Sequence, residues 1–206
     1  MTQVMIQVEN LVKKYGGLPA VNGISFEVTK GEVFSLMGPN GAGKTTTVEI
    51  LECLKKPTSG KAFVAGFDIF KEEKKVKQNI GVMPQDFNAF ERLTARENIQ
   101  LVSDIYGGNR RNRVEEIMEM IGVKEFQNKQ FFSLSGGMQN RVGIGMALVS
   151  DAPLLFLDEP TTGLDPQARR DTWSLIKSLK EMERPAADYF GIFTNGGNGT
   201  FKYACF

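Results

Sequence analysis

A chain of 206 residues can bury one substantial core and is too short for two full-sized domains. Its 41% hydrophobic and 24% charged residues are a globular composition, not that of a disordered polymer. The net charge of +1 gives no electrostatic footprint for nucleic acid or an acidic membrane, and no stretch approaches the roughly 18 apolar residues of a membrane span.

From the N-terminus, Val4 to Val12 alternates polar and apolar residues as a strand does, and Ile24 to Val28 reads as a second strand after a turn at Asn22-Gly23. Met1 to Asn10 lacks the basic start and long apolar run of a secretion signal, so any membrane connection is expected through a partner chain. Val33 to Met37 is a short apolar run after Gly31, the pattern of a buried parallel strand. A glycine-rich loop follows, then helical spacing from Thr45 to Leu54, ended by Pro57-Thr58-Ser59-Gly60 before a strand near Ala62 to Ala65. Cys53 reads as a buried thiol in a reducing, cytosolic setting, since Cys53 and Cys205 make neither a disulfide framework nor a metal spacing.

Lys71 to Lys77 reads as a solvated helix face, and Ile80 to Met83 as a brief strand. Amphipathic helices are expected over Glu91 to Tyr106 and Arg111 to Ile121, separated by Gly107-Gly108. Another helix begins near Gly136, Leu154 to Leu157 makes a second buried strand, and Gln167 to Met182 is helical. Strands alternating with helices point to an α/β fold with a mainly parallel core, an antiparallel portion built from the N-terminal strands, and a helical subdomain over about 87–150.

Gly38-Pro39-Asn40-Gly41-Ala42-Gly43-Lys44-Thr45-Thr46 matches a phosphate loop. Glycines let successive amides turn inward onto phosphate oxygens, and the following helix adds its positive N-terminal end. Lys44 is placed for the β- and γ-phosphates, and the Thr45 hydroxyl for magnesium. In Leu154-Leu155-Phe156-Leu157-Asp158-Glu159-Pro160, four apolar residues bury a strand and two acids stand where it leaves the sheet. Asp158 is suited to hold magnesium and Glu159 to polarise an attacking water. Taken alone, the acids could simply end a strand and the loop could be a glycine-rich turn; together they point to a nucleotide-hydrolysing P-loop NTPase.

Leu134-Ser135-Gly136-Gly137-Met138-Gln139 lies shortly before the acidic strand and resembles the signature of ABC transporter ATPases. The resemblance implies that Ser135, Gly136 and Gly137 bind ATP held by a second ATPase subunit, in a homodimer. It further implies that Tyr15 stacks on adenine, that Gln85 contacts magnesium or the attacking water, and that Asp165 lies at the dimer interface. ATP and Mg2+ are then the expected ligands, and a transmembrane permease subunit the expected partner at the inner face of the membrane. No nucleic acid is expected. The motifs resemble those of multidrug-type exporters; a non-transport ABC ATPase and an inactive binding module are the alternatives.

The family pattern breaks near Glu183. The chain holds 0 histidines, whereas the family places a switch histidine after the catalytic glutamate. Either Ile192 to Thr194 is a degenerate strand with Thr194 or Asn195 near that position, or residues 184–206 are a tail altered by truncation or a frameshift near Arg184. The altered tail is the preferred reading, and it implies retained ATP binding with poor turnover.

Overall fold

A computed structural model of the protein describes residues 3–107, 111–181, 191–194 and 202–205. In chain order the elements are β1 (Val4–Tyr15), β2 (Leu18–Thr29), β3 (Val33–Met37), α1 (Lys44–Leu51), β4 (Ser59–Val64), β5 (Phe67–Asp68), α2 (Glu73–Gln78) and β6 (Ile80–Met83). They continue as α3 (Ala95–Ile105), α4 (Arg111–Met120), α5 (Gly136–Leu148), β7 (Leu154–Leu157), α6 (Pro166–Glu181), β8 (Gly191–Thr194) and β9 (Lys202–Cys205). The first sheet has the order β2-β1-β4-β5 and is antiparallel; the second has the order β6-β7-β8-β3-β9 and is parallel. The expected mainly parallel core and antiparallel portion are both present.

The first hairpin turns at a different place from the one expected. Gly16 and Gly17 both have positive φ, 55° and 89°, and link the paired residues Tyr15 and Leu18. Two left-handed residues suit the twist of a tight hairpin. Asn22-Gly23 lies inside β2 instead: Leu11 pairs with Ile24 and Val12 with Asn22, so Gly23, at φ 75°, is the extra residue of a bulge.

β7 explains how the layers stack. All four of its residues are buried, and they alternate between two apolar clusters. Leu154 and Phe156 join Phe34, Leu36, Ile50 and Leu51 in the cluster beneath α1 and the antiparallel sheet. Leu155 and Leu157 join Ile99, Ile117, Ile121, Ile144 and Leu175 in the cluster of the helical side. Period-two alternation thus gives each core every second side chain of the same strand. Across the first core, the Phe26 ring of β2 stacks on Phe34 of β3, centroids 5.0 Å apart and 15° from parallel. Such a pair contributes about 0.5–1.5 kcal/mol beyond its buried area.

On the helical side α3, α4 and α5 fall within the expected 87–150 span, and glycines let α5 approach its neighbours closely. A Cβ on Gly145 would lie 2.5 Å from Ile121 Cδ1, and one on Gly143 would lie 2.7 Å from Phe87 Cζ. α3 starts at Ala95, not Glu91, because Thr94 caps it. The Thr94 hydroxyl accepts from the Glu97 N–H, and the Glu97 carboxylate accepts from the Thr94 N–H at 2.7 Å. α1 likewise stops at Leu51; Cys53, at φ 58°, lies in the turn beyond it and is half-buried, which corrects its reading as a core thiol.

Ile192 to Thr194 does lie in a strand, β8, which pairs with β7 on one side and β3 on the other. β9 was not foreseen; it pairs with the far side of β3. Asn195 and most of the 184–206 tail lie outside the described residues.

Removing the α3 cap isolates one local contribution. Thr94→Ala should lower unfolding free energy by about 1 kcal/mol in urea titration, with an unchanged denaturant slope.

Candidate nucleotide-binding site

β3 ends at Met37 and its chain enters the loop Gly38–Gly43, from which α1 starts at Lys44. Gly43 caps α1 at φ 92°, ψ 9°, a left-handed conformation. A Cβ there would also sit 2.1 Å from the carbonyl oxygen of Ala20 on β2, so no side chain fits. The same contact presses the antiparallel sheet against the loop. Within the loop, the Ala42 N–H donates to the Pro39 carbonyl at 3.2 Å. The Lys44 ammonium folds back and donates to the carbonyls of Gly38 (2.9 Å) and Pro39 (3.0 Å), leaving the residue 6% exposed.

A cleft of about 490 Å³ opens over this loop, lined by Ala20, Asn40, Gly41, Gly43, Lys44, Thr45, Thr46, Gln85 and Glu159. Residues from three separate motifs therefore meet at the C-terminal edge of the parallel sheet, where α/β folds bind ligands. Gly38 and Pro39 stand behind the cleft as acceptors for Lys44, and Ala42 is outside its lining. Tyr15 is also outside it, 46% exposed at the end of β1.

Asp158 and Glu159 follow β7 directly. Asp158 is buried, and its N–H donates to Met83 at 2.9 Å, extending the β6–β7 ladder by one residue. Glu159 takes a left-handed backbone at φ 48°, a strained conformation for a residue with a Cβ. Its Oε2 accepts from the Gln85 amide at 3.2 Å and from the Thr162 hydroxyl at 2.8 Å. Thr162 was not anticipated from sequence, although it stands only three residues beyond the glutamate. Among the described residues no group of three or more His, Cys, Asp or Glu side chains could hold a metal alone. Of the three residues expected to hold magnesium, Thr45 and Gln85 line the cleft, whereas Asp158 lies outside its lining, next in the chain to Glu159, which lines it. A carboxylate, a hydroxyl and an amide are oxygen donors of the kind magnesium takes.

Ser135 caps α5, its hydroxyl accepting from the Met138 N–H at 3.4 Å. Ser135 and Gly137 line a second hollow of about 240 Å³ with Asp165 and Thr172, and no residue is shared with the lining of the cleft. Gly136 is not among that lining; its Cβ position would meet Leu164 at 3.5 Å. One chain thus does not bring its Ser135–Gly137 turn into the cleft at Lys44. A buried link joins the turn's helix to the acidic segment. Asn140 donates its amide to the Pro160 carbonyl at 2.6 Å and accepts from the Thr172 hydroxyl at 3.3 Å. Nothing in the sequence pattern singles Asn140 out.

Electrostatics adds another residue outside the motifs. Glu52 follows α1 and is 6% exposed. Burial pushes its carboxyl up from 4.5 to about 8, with the negative charges of Asp158 and Glu49 adding to the shift. An acid inside Ile50-Leu51-Glu52-Cys53 was the available signal.

The parallel sheet, the β3–loop–α1 passage and the acid pair after β7 define a P-loop nucleotide-binding domain. The family model described as "ABC transporter" matches residues 21–162. The chain is 43% identical over 180 residues to the linearmycin resistance ATP-binding protein LnrL of Bacillus subtilis (strain 168), covering 86% of this chain and 58% of that protein. It is 37% identical over 182 residues to the doxorubicin resistance ATP-binding protein DrrA of Mycobacterium tuberculosis, covering 86% of this chain and 55% of that protein. The chain therefore belongs to the ABC transporter family, and it spans somewhat over half the length of these relatives. Among solved structures, the dimeric post-hydrolysis state of the ATP-binding cassette MJ0796 bound to ADP and Pi superposes with a TM-score of 0.77 at 31% identity, covering 93% of this chain and 88% of that one. The cbiO1 protein from Clostridium perfringens, part of the ABC transporter complex cbiONQ, superposes with a TM-score of 0.83 at 26% identity, covering 94% and 79%.

The buried acid makes stability depend on pH. The folded state holds the Glu52 proton up to about pH 8 whereas the unfolded chain releases it near 4.5, so the contribution to stability is fully present below pH 4.5 and is lost as pH rises through 8. Glu52→Gln should flatten this decline, worth on the order of a few kcal/mol, when urea unfolding is compared at pH 6 and pH 9.

Proposed function

We propose that this chain is the ATP-binding and ATP-hydrolysing subunit of an exporter, working as a pair of ATPase subunits beneath a separate transmembrane permease. The observation that carries the reading is the meeting of Lys44, Thr45, Gln85 and Glu159 around one cleft at the sheet edge. The names of LnrL and DrrA, both resistance ATP-binding proteins, support export as the direction. Among the described residues no helix is long and apolar enough to cross a membrane, which agrees with a membrane path supplied by another chain.

Each step falls to a named residue. The loop amides from Asn40 to Thr46 and the Lys44 ammonium hold the β- and γ-phosphates of ATP, Lys44 exchanging its two carbonyl acceptors for phosphate oxygens. Thr45, Gln85 and Asp158 would hold magnesium, which would offset phosphate charge. The Glu159 carboxylate, gripped by Gln85 and Thr162, accepts the proton of the attacking water. Ser135, Gly136 and Gly137 serve the nucleotide of the partner subunit, consistent with a turn that lies away from the cleft of its own chain. The absence of histidine from all 206 residues favours a slow version of this enzyme, in which binding is intact and turnover is low.

Binding and chemistry should separate under mutation. Lys44→Ala should abolish measurable ATP binding by calorimetry, whereas Glu159→Gln should bind ATP normally and release no phosphate. Normal hydrolysis by either variant would overturn the assignment of that residue. Restoring a histidine-bearing strand in place of the present tail should raise phosphate release by about 10²–10³ without altering ATP affinity.

A further inference from the structure

The ring of Tyr15 is held by groups that the motifs do not include. The Lys13 ammonium stands 4.9 Å from the ring centroid, within cation–π range, and donates to the Lys56 carbonyl at 2.7 Å, which pins it there. The Lys55 ammonium is 5.9 Å from the same centroid, the outer limit of such a contact. Lys55 also forms an ion pair of 2.6 Å with Glu49, which lies on α1, the helix that opens with Lys44. The hydrogen bond from Lys55 to Glu49 leads the causes that hold this ammonium above the usual lysine value, and the contact with Tyr15 adds to it.

Backbone latches hold the same region together. The Thr58 N–H donates to the Val12 carbonyl at 2.7 Å, and the Lys14 N–H donates to the Thr58 hydroxyl at 2.9 Å. On the adjoining strand, Ala20 lines the phosphate cleft and abuts Gly43. The end of the hairpin is therefore tied to the phosphate loop through β2 and to α1 through Lys55 and Glu49. With both lysines beside its ring, Tyr15 remains 46% exposed, which leaves surface open to a flat ligand.

We propose that Lys13, Lys55 and Glu49 form a clamp that positions the Tyr15 ring as a platform for the nucleobase and sets its distance from the phosphate loop. The clamp acts on the purine of a nucleoside triphosphate and not on its phosphates; it rests on the reading of Tyr15 as the base-stacking residue. A ring fixed before binding loses less freedom when a base stacks on it, so the clamp raises affinity by preorganisation. Lys55 is the central member, because it alone joins the ring to α1.

The test uses the full chain with magnesium and two probes, ATP and inorganic tripolyphosphate, in calorimetric titrations. Lys55→Gln removes the charge while keeping a polar side chain only one atom shorter. It should weaken ATP binding by about five- to tenfold and leave tripolyphosphate binding unchanged. Lys55→Arg should restore ATP affinity to within about twofold, since a guanidinium keeps both the charge and the donors. Tyr15→Ala, titrated in parallel, should weaken ATP at least as much as Lys55→Gln does. If Tyr15→Ala weakens ATP and Lys55→Gln does not, the clamp is refuted while the platform stands. If Tyr15→Ala leaves ATP affinity unchanged, the platform is refuted and the clamp with it. A parallel loss of tripolyphosphate binding in Lys55→Gln would also refute the clamp, by showing general damage to the phosphate site.

Discussion

Peptide groups carried through a dry interior must find hydrogen-bond partners there, and this constraint governs the architecture. β3 and β7 run between two apolar layers, with water reaching neither face, so their N–H and C=O groups pair only sideways. Both strands accordingly have parallel neighbours on each side. Parallel pairing in turn brings every strand exit to the same edge. Three of those exits lead into the cleft: the glycine loop after β3, Gln85 after β6, and Glu159 after β7.

At that edge backbone strain and close approach sit where groups must converge. Gly43 can turn left-handed and accept the Ala20 carbonyl against it only because it lacks a side chain. Glu159 adopts a similar backbone conformation with a side chain present, and two hydrogen bonds to one carboxylate oxygen hold it there. The loop and the glutamate are thus set by their surroundings before any ligand arrives, which is the form of preorganisation that electrostatic catalysis requires.

Runs of one character were legible from sequence. Val33 to Met37 and Leu154 to Leu157 read directly as buried strands, with the loop and the acids at their ends, and Ile80 to Met83 read as a brief strand, whereas Gln85 came only from the family resemblance. The hairpin turn was misplaced because Asn22-Gly23 and Gly16-Gly17 carry similar local signals. Only pairing across the strands, with Gly23 left over opposite Val12, separates a bulge from a turn. Asn140 and Lys55 were silent for another reason. Their roles come from neighbours distant in sequence, the Pro160 carbonyl for Asn140 and the Tyr15 ring for Lys55. No periodicity encodes such a meeting.

The shared strand at the centre has a further consequence for dissection of the molecule. The apolar cluster beneath α3, α4 and α5 also contains Val33, Met83, Leu155 and Leu157 from the sheet, and Leu175, Ile176 and Leu179 from α6. The helices own only part of the core on which they rest. A fragment cut at the ends of the inserted helical span would carry one wall of that core into water without the other. The seam visible along the sequence is therefore not a seam in the fold, and the helical half draws its permanence from a strand whose alternate side chains also support the opposite layer.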